Sequence, residues 1–308
     1  MKRNNIIIIA ILVIISSCES ILEEKPVAFI DPYKFYNNET ECRAAVNYLY
    51  FPLTNFYKAN LLFVTDLSTD LSFFTGSSVD PINNFAISPA QPGTAAINAW
   101  NNCYTGIVQA NNTISGIQRT SLDEATKQAL IGEASCLRGF YYYILTELFN
   151  DVPFYFDEVL TVDDQNKVGR IPRMSALETR NTIIEDLEQY LDYLPIKNRF
   201  DKSFQRVSRQ FAYMLIAKMA MKNFDFELAK FYLIKIREIY GYLDPGVYPI
   251  NDTYFSNKNT PESIFEVQYM YDPSGIQKQA GVAVYFIPPL STPGTEVFDG
   301  VSIPFIGN

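Results

Sequence analysis

The sequence contains no histidine, and its 308 residues include one tryptophan and four cysteines. Without histidine the chain lacks the commonest general base and metal ligand, and with them every serine–histidine or cysteine–histidine nucleophile pair. Cys18, Cys42, Cys103 and Cys136 form neither a C-x-x-C pair nor a zinc spacing, so no metal site and no cofactor are expected. A disulfide framework is not expected either, and one bridge between Cys103 and Cys136 is the pairing left open. There is no G-x-S-x-G elbow, Walker loop or dinucleotide fingerprint. Basic residues are the scarcer charge, 25 against 34 acidic, for a net charge of −9. An acidic chain is a poor holder of phosphate backbones, and nucleic acid is not an expected partner.

What is abundant is apolar surface. Hydrophobic residues make up 48% of the chain, with 23 Phe and 21 Tyr, enough for a sizeable core in one or two domains. The N-terminus shows how part of it is used. Lys2 and Arg3 precede the unbroken apolar run Ile6–Ile15, and Ser16-Ser17-Cys18 follows. Ten residues rise only about 15 Å as a helix, half of a bilayer core, so residues 1–17 read as a signal peptide and not as a span. A small-small-Cys ending resembles a bacterial lipobox, which implies that Cys18 is acylated and becomes the new N-terminus. Residues 18–36 then read as a lipidated tether. Its acidic start, Glu19, Glu23 and Glu24, resembles the surface-export signals of Bacteroidetes lipoproteins.

Beyond the tether the periodicity is helical. Asn38 with Glu41 opens a helix that places Cys42, Ala45, Val46 and Leu49 on one side. Residues 61–70 fit a helix or a strand, and Gly76–Gly93 reads as a long loop. From Thr94, Ile97, Trp100, Tyr104, Ile107 and Ile114 share a face, with Asn111 between the last two. This spacing marks Trp100 as a helix-packing residue rather than a sugar platform. Ser121 with Glu124 reads as a capping box, and Leu130, Ala134, Leu137, Tyr141, Leu145 and Leu148 continue one stripe to the stop at Pro153. Ser175 with Glu178 opens a helix whose stripe runs from Ile184 to Leu194. Its acidic residues Glu185, Asp186 and Glu188 read as a solvated face. Ser208 to about Lys222, then Asp225 to Tyr240 with Gly241, make an αα-hairpin. Ile264–Met270 alternates like a half-buried strand.

Four of these segments carry a resemblance. Glu133-Ala134-x-x-Leu137-Arg138-Gly139-Phe140-Tyr141-Tyr142 followed by Leu148-Phe149-Asn150-Asp151-Val152-Pro153 is similar to the signature of the SusD/RagB family, nutrient-binding lipoproteins of the Bacteroidetes outer membrane. Asn47-Tyr48-Leu49-Tyr50 resembles the end of that family's first helix. Trp100-x-x-x-Tyr104-x-x-Ile107-x-x-Ala110-Asn111 resembles a second family pattern, and Glu262-Ser263-Ile264-Phe265-Glu266-Val267-Gln268-Tyr269 a third. The resemblance implies a mainly α fold of tetratricopeptide-like helical hairpins forming an αα superhelix, with an irregular, loop-rich ligand-binding portion. The helical scaffold is expected at about 37–60 and 94–243, and irregular segments at 61–93 and 244–308. Family members usually continue further, so the domain 37–308 is expected to lack its C-terminal part.

In function the resemblance implies binding and not catalysis. The expected ligand is an oligosaccharide, or a peptide as in RagB-like members. The expected partner is a SusC-like TonB-dependent transporter in the outer membrane. A helical-repeat scaffold that binds only protein is the alternative from another class. The family builds its ligand surface from loops laid on the helices. Residues 66–85 fit that description, with Asp66, Asp70, Asn83 and Asn84 to meet sugar hydroxyls and Phe73 and Phe74 to meet apolar ring faces.

Overall fold

The computed structural model describes residues 35–57, 61–70, 81–82, 84–197, 206–242, 259–261 and 263–268, and the account concerns the unit from Tyr36 onward. Residues 1–34, which hold the leader, Cys18 and all but the last two residues of the tether, lie outside the described residues, as do Phe73, Phe74 and Asn83. In chain order the helices are α1 (Glu39–Tyr48), α2 (Phe51–Asn55), α3 (Leu61–Thr65), α4 (Thr94–Gln118), α5 (Glu124–Phe149), α6 (Val162–Val168), α7 (Ala176–Glu188), α8 (Arg209–Lys222) and α9 (Phe226–Tyr240). Two short strands, β1 (Val152–Pro153) and β2 (Arg173–Met174), pair antiparallel. No helix among the described residues is long and apolar enough to cross a membrane.

Most of the predicted helices stand with their caps. Asn38 accepts from the Glu41 amide, Ser175 from Glu178, Ser208 from Phe211 and Asp225 from Leu228. Each cap gives an oxygen partner to an amide that a helix start leaves unpaired. The central helix differs from expectation. Its cap is Asp123, whose carboxylate accepts from the Thr126 amide at 3.0 Å, and not Ser121. A carboxylate at this place also meets the positive end of the helix dipole. The predicted strand at 264–270 is also corrected. Residues 263–268 carry no strand among the described residues, and all six are half-buried without alternation. They are held instead by side chains, with the Phe265 ring 4.8 Å from that of Phe211.

The core forms where α4 and α5 run antiparallel. Small residues let them approach: Ala99, Cys103 and Ala110 of α4 are fully buried, and Gly106 is buried with them. A side chain at Gly106 would overlap the ring of Tyr141, and one at Gly139 of α5 would come within 2.8 Å of Ile183 on α7. Of the large residues expected on this face, Ile107 and Ile114 are buried in the core, whereas Ile97 is 45% exposed and Trp100 lies at the edge. Cys42, Cys103 and Cys136 are buried free thiols, so no bridge joins Cys103 to Cys136.

Two polar networks tie the helices together. Glu133 takes Arg206 at 2.7 Å and the Tyr50 hydroxyl, whose oxygen in turn accepts from the Val207 amide at 2.9 Å. Arg138 pairs with Asp186 at 2.7 Å, donates to Asn111 at 2.9 Å, and lies 3.6 Å from the centre of the Phe156 ring. Asp186 therefore does not belong to a solvated face, and buried charges of this kind persist because they are paired. The hairpin α8–α9 docks on α7 through its turn: Asn223 accepts from Arg180 at 2.6 Å and donates to Asn181 at 2.7 Å. Antiparallel pairs α4–α5 and α8–α9, joined through α7, make a mainly α, tetratricopeptide-like stack.

Candidate functional site

The loop singled out in the sequence is in part helical. Residues 61–65 form α3, and Asp66–Ser68 continue as a 3-10 turn, because the Thr65 and Ser68 hydroxyls bond back onto the preceding turn and hold it. Leu67, Ile82 and Ala95 make a small core of their own. That cluster brings Leu67 and Ile82 together on the start of α4. Asp66, Asp70 and Asn84 are exposed, with Asp66 accepting from the Thr65 hydroxyl at 2.7 Å. Sequence reasoning passed over Phe85. Its φ of 52° and 70% exposure put an aromatic ring in solvent directly beside Asn84. A turn of Pro, Asn and Phe was visible, but nothing in the composition says which way such a ring points.

A larger concavity lies elsewhere. Between α4 and the segment 153–169 is an open cleft of about 640 Å³, lined on one side by Trp100, Asn101, Tyr104 and Gln109 and on the other by Tyr155 and Gln165. Its aromatic wall is continuous. Trp100 meets Phe149 edge-on at 5.1 Å and Tyr104 at 4.8 Å, and Tyr104 stacks on Tyr155 at 6.3 Å. Trp100 thus packs between helices, as its spacing predicts, and the same side chain also borders the cleft.

The opposite wall is pinned by buried amides. Asn111 donates to the carbonyls of Tyr155 and Asp157, both at 3.2 Å, while Asn112 donates to the Val159 carbonyl and accepts from its amide. The Tyr142 hydroxyl donates to the Tyr155 carbonyl at 2.9 Å and accepts from its amide at 3.0 Å, and the Tyr104 hydroxyl donates to Pro153 at 2.7 Å. Each pairing satisfies a backbone group that would otherwise be buried alone. Burial pushes the Tyr155 phenol up to about 12 and the Tyr104 phenol higher still. The cleft lining holds no Asp, Glu, Lys or Arg. A second concavity, on α8 and α9, is lined by Phe226, Leu233, Lys230 and Arg237. Among the described residues no group of His, Cys, Asp and Glu could hold a metal ion.

Residues 83–221 match a SusD-like family model described as starch-binding, associating with the outer membrane. SusD-like protein P2 of Formosa agariphila is 29% identical over 237 residues, which cover 74% of this chain and 45% of the relative. The chain spans less than half the length of the curated relatives it matches. Among solved structures, a laminarin-binding SusD-like protein superposes with a TM-score of 0.61 at 23% identity, covering 76% of this chain and 52% of that one. A SusD superfamily protein from Bacteroides vulgatus gives 0.66 at 20% identity, covering 76% and 50%. At such identities the structural likeness concerns the fold. Helix caps, signature residues and fold agree with the sequence matches, and the chain is similar to SusD-like proteins over residues 83–221.

Proposed function

We propose that this protein binds an oligosaccharide at the cell surface and passes it uncut to a SusC-like TonB-dependent transporter of the outer membrane. The observation that carries the reading is the match of residues 83–221 to a family described as starch-binding and associated with the outer membrane. Two structural neighbours point the same way: one is a laminarin-binding SusD-like protein, the other a surface glycan-binding protein from Bacteroides uniformis. The lack of histidine agrees with binding in place of catalysis. Acylated Cys18 is the proposed anchor, residues 18–36 the tether, and a SusD-like domain follows over 37–308.

Within that domain the loop bearing Asp66, Asp70, Phe73, Phe74, Asn83 and Asn84 is proposed as one contact surface. The exposure of Asp66, Asp70, Asn84 and Phe85 supports this. Capture followed by release calls for micromolar to millimolar affinity, about 4 to 8 kcal/mol. Isothermal titration of the purified protein against glycans and oligopeptides tests the reading. Heat with at least one glycan class is expected. Peptide binding with silence on every glycan would transfer the protein to a RagB-like role.

A further inference from the structure

We propose that the cleft between α4 and the segment 153–169 is a subsite for an uncharged saccharide, bordered by Trp100 and Tyr104 and read by the side-chain amides of Asn101, Gln109 and Gln165. The proposal rests on the glycan-binding reading above and adds to it a place and a chemical class.

The first argument is charge. Among the lining residues there is no carboxylate, ammonium or guanidinium, and Tyr104 and Tyr155 stay protonated through the physiological range because burial raises both phenols. Arg173 acts on Tyr104 from β2 but does not line the cleft. A uronate or sulfate ester placed here would shed water without gaining a counter-charge, which is unfavourable. A neutral sugar asks for amides, hydroxyls and an apolar ring face, and these the cleft has.

The second argument is the state of its polar groups. Asn111 and Asn112, on the inner faces of α4, are fully engaged in holding the 155–159 segment. Asn101, Gln109 and Gln165 differ. Among the described residues their side-chain amides make no hydrogen bond within the protein, and neither does the indole N–H of Trp100. Asn101 and Gln165 are exposed and Gln109 is half-buried, so at the cleft these amides are met by water, which sugar hydroxyls can replace.

The third is preorganisation. Both walls are fixed without a ligand, one by the α4–α5 core and the other by six hydrogen bonds from Asn111, Asn112 and Tyr142, so binding orders little of the protein. The volume, about 640 Å³, falls inside the range of roughly 300 to 1,000 Å³ usual for small-molecule sites and suits a short oligosaccharide.

Trp100 is the only tryptophan in the chain, which gives the test a local reporter. The purified protein is titrated with laminarin and malto-oligosaccharides as neutral probes and with oligogalacturonate and sulfated galactan oligosaccharides as charged ones. Heat and tryptophan emission are followed together. The expected result is a saturable emission change with a neutral probe, at the same midpoint as the heat. Gln109→Ala and Gln165→Ala each weaken that binding about three- to tenfold, one hydrogen bond apiece. Heat without any emission change overturns the subsite and leaves glycan binding intact. An emission change insensitive to both substitutions, or equally strong with charged probes, overturns the assignment of residues or of class respectively. Silence in both signals with every neutral probe overturns the subsite as well.

Discussion

Arg138 of α5 and Asp186 of α7 meet at 2.7 Å with their side chains 4% and 11% exposed, and this pair closes the packing of α4, α5 and α7. The guanidinium reaches Asn111 with its other arm, and Asn111 in turn holds the wall of the cleft. Removing one partner strands a buried charge, whereas removing both leaves a gap between apolar neighbours. Asp186→Ala is therefore expected to cost about 3–5 kcal/mol. The double variant Arg138→Met with Asp186→Leu should lose clearly less than the two single changes added together. Urea denaturation with an unchanged slope measures both, and a loss under about 1 kcal/mol for Asp186→Ala would show the pair to be dispensable.

Gly106 faces the ring of Tyr141, whose hydroxyl donates to the Leu49 carbonyl at 2.6 Å and whose side chain is fully buried. Gly106→Ala gains up to about 1 kcal/mol of helix propensity, but its methyl group enters space the fixed ring occupies. Overpacking of this kind costs about 1–3 kcal/mol, so net destabilisation is expected. In a Tyr141→Leu background the same change should turn neutral or stabilising. If Gly106→Ala raises the melting temperature in the parent protein, the close approach of α4 and α5 is not as described.

These two sites also mark where the sequence was readable. Helix starts were legible because a cap is a local bargain between one side chain and one amide, as at Asn38, Ser175, Ser208 and Asp225. The face of α4 was only half legible. Counting large apolar residues picked out Ile107 and Ile114, which are buried, together with Ile97 and Trp100, which are not, and it passed over the small residues of the close contact, Ala99, Cys103, Gly106 and Ala110. Asp186 looked like surface because its partner, Arg138, is 48 positions away in the chain. The segment 263–268 had a strand-like composition, yet a strand also needs a hydrogen-bonding neighbour, which a single sequence does not reveal. The cleft shared this difficulty: its walls come from α4 and from the connection after Pro153, and Asn101, Gln109 and Gln165 carry no motif.

The start of α5 gives a direct comparison of two caps. Ser121 and Asp123 both precede the helix, and only Asp123 accepts from an amide of the first turn. Asp123→Ala should lower the melting temperature by about 2–4 °C, while Ser121→Ala should leave it nearly unchanged. Hydrogen bonding from Thr126 holds the Asp123 carboxyl below the usual carboxylate range. Its contribution is then present above the ordinary carboxylate pKa and fades as pH falls through the lowered value. A difference between parent and Asp123→Ala that persists undiminished in strong acid would point to a cause other than the cap.

Alkali should be the chain's weak side. No histidine titrates near neutrality, so stability is expected to vary little between about pH 7 and 8. From about pH 8.5 the unfolded chain releases thiol protons that burial retains in the fold at Cys42, Cys103 and Cys136, and stability begins to fall. At higher pH the buried phenols act in the same direction. Burial raises Tyr141 and Tyr142 well above their ordinary value and Tyr155 to about 12, while Tyr50 is raised by burial first and by Glu133 second. With the folded value raised, the native state keeps protons that the unfolded chain releases from about pH 10. The associated stability is complete below pH 10 and is lost as pH climbs through the folded values. Absorbance at the tyrosinate band, followed together with the helical circular dichroism, should therefore show Tyr141 and Tyr142 ionising only as the helical signal collapses. A single smooth titration of all the tyrosines, complete before any helix is lost, would mean that Tyr141 and Tyr142 are not sealed in the core.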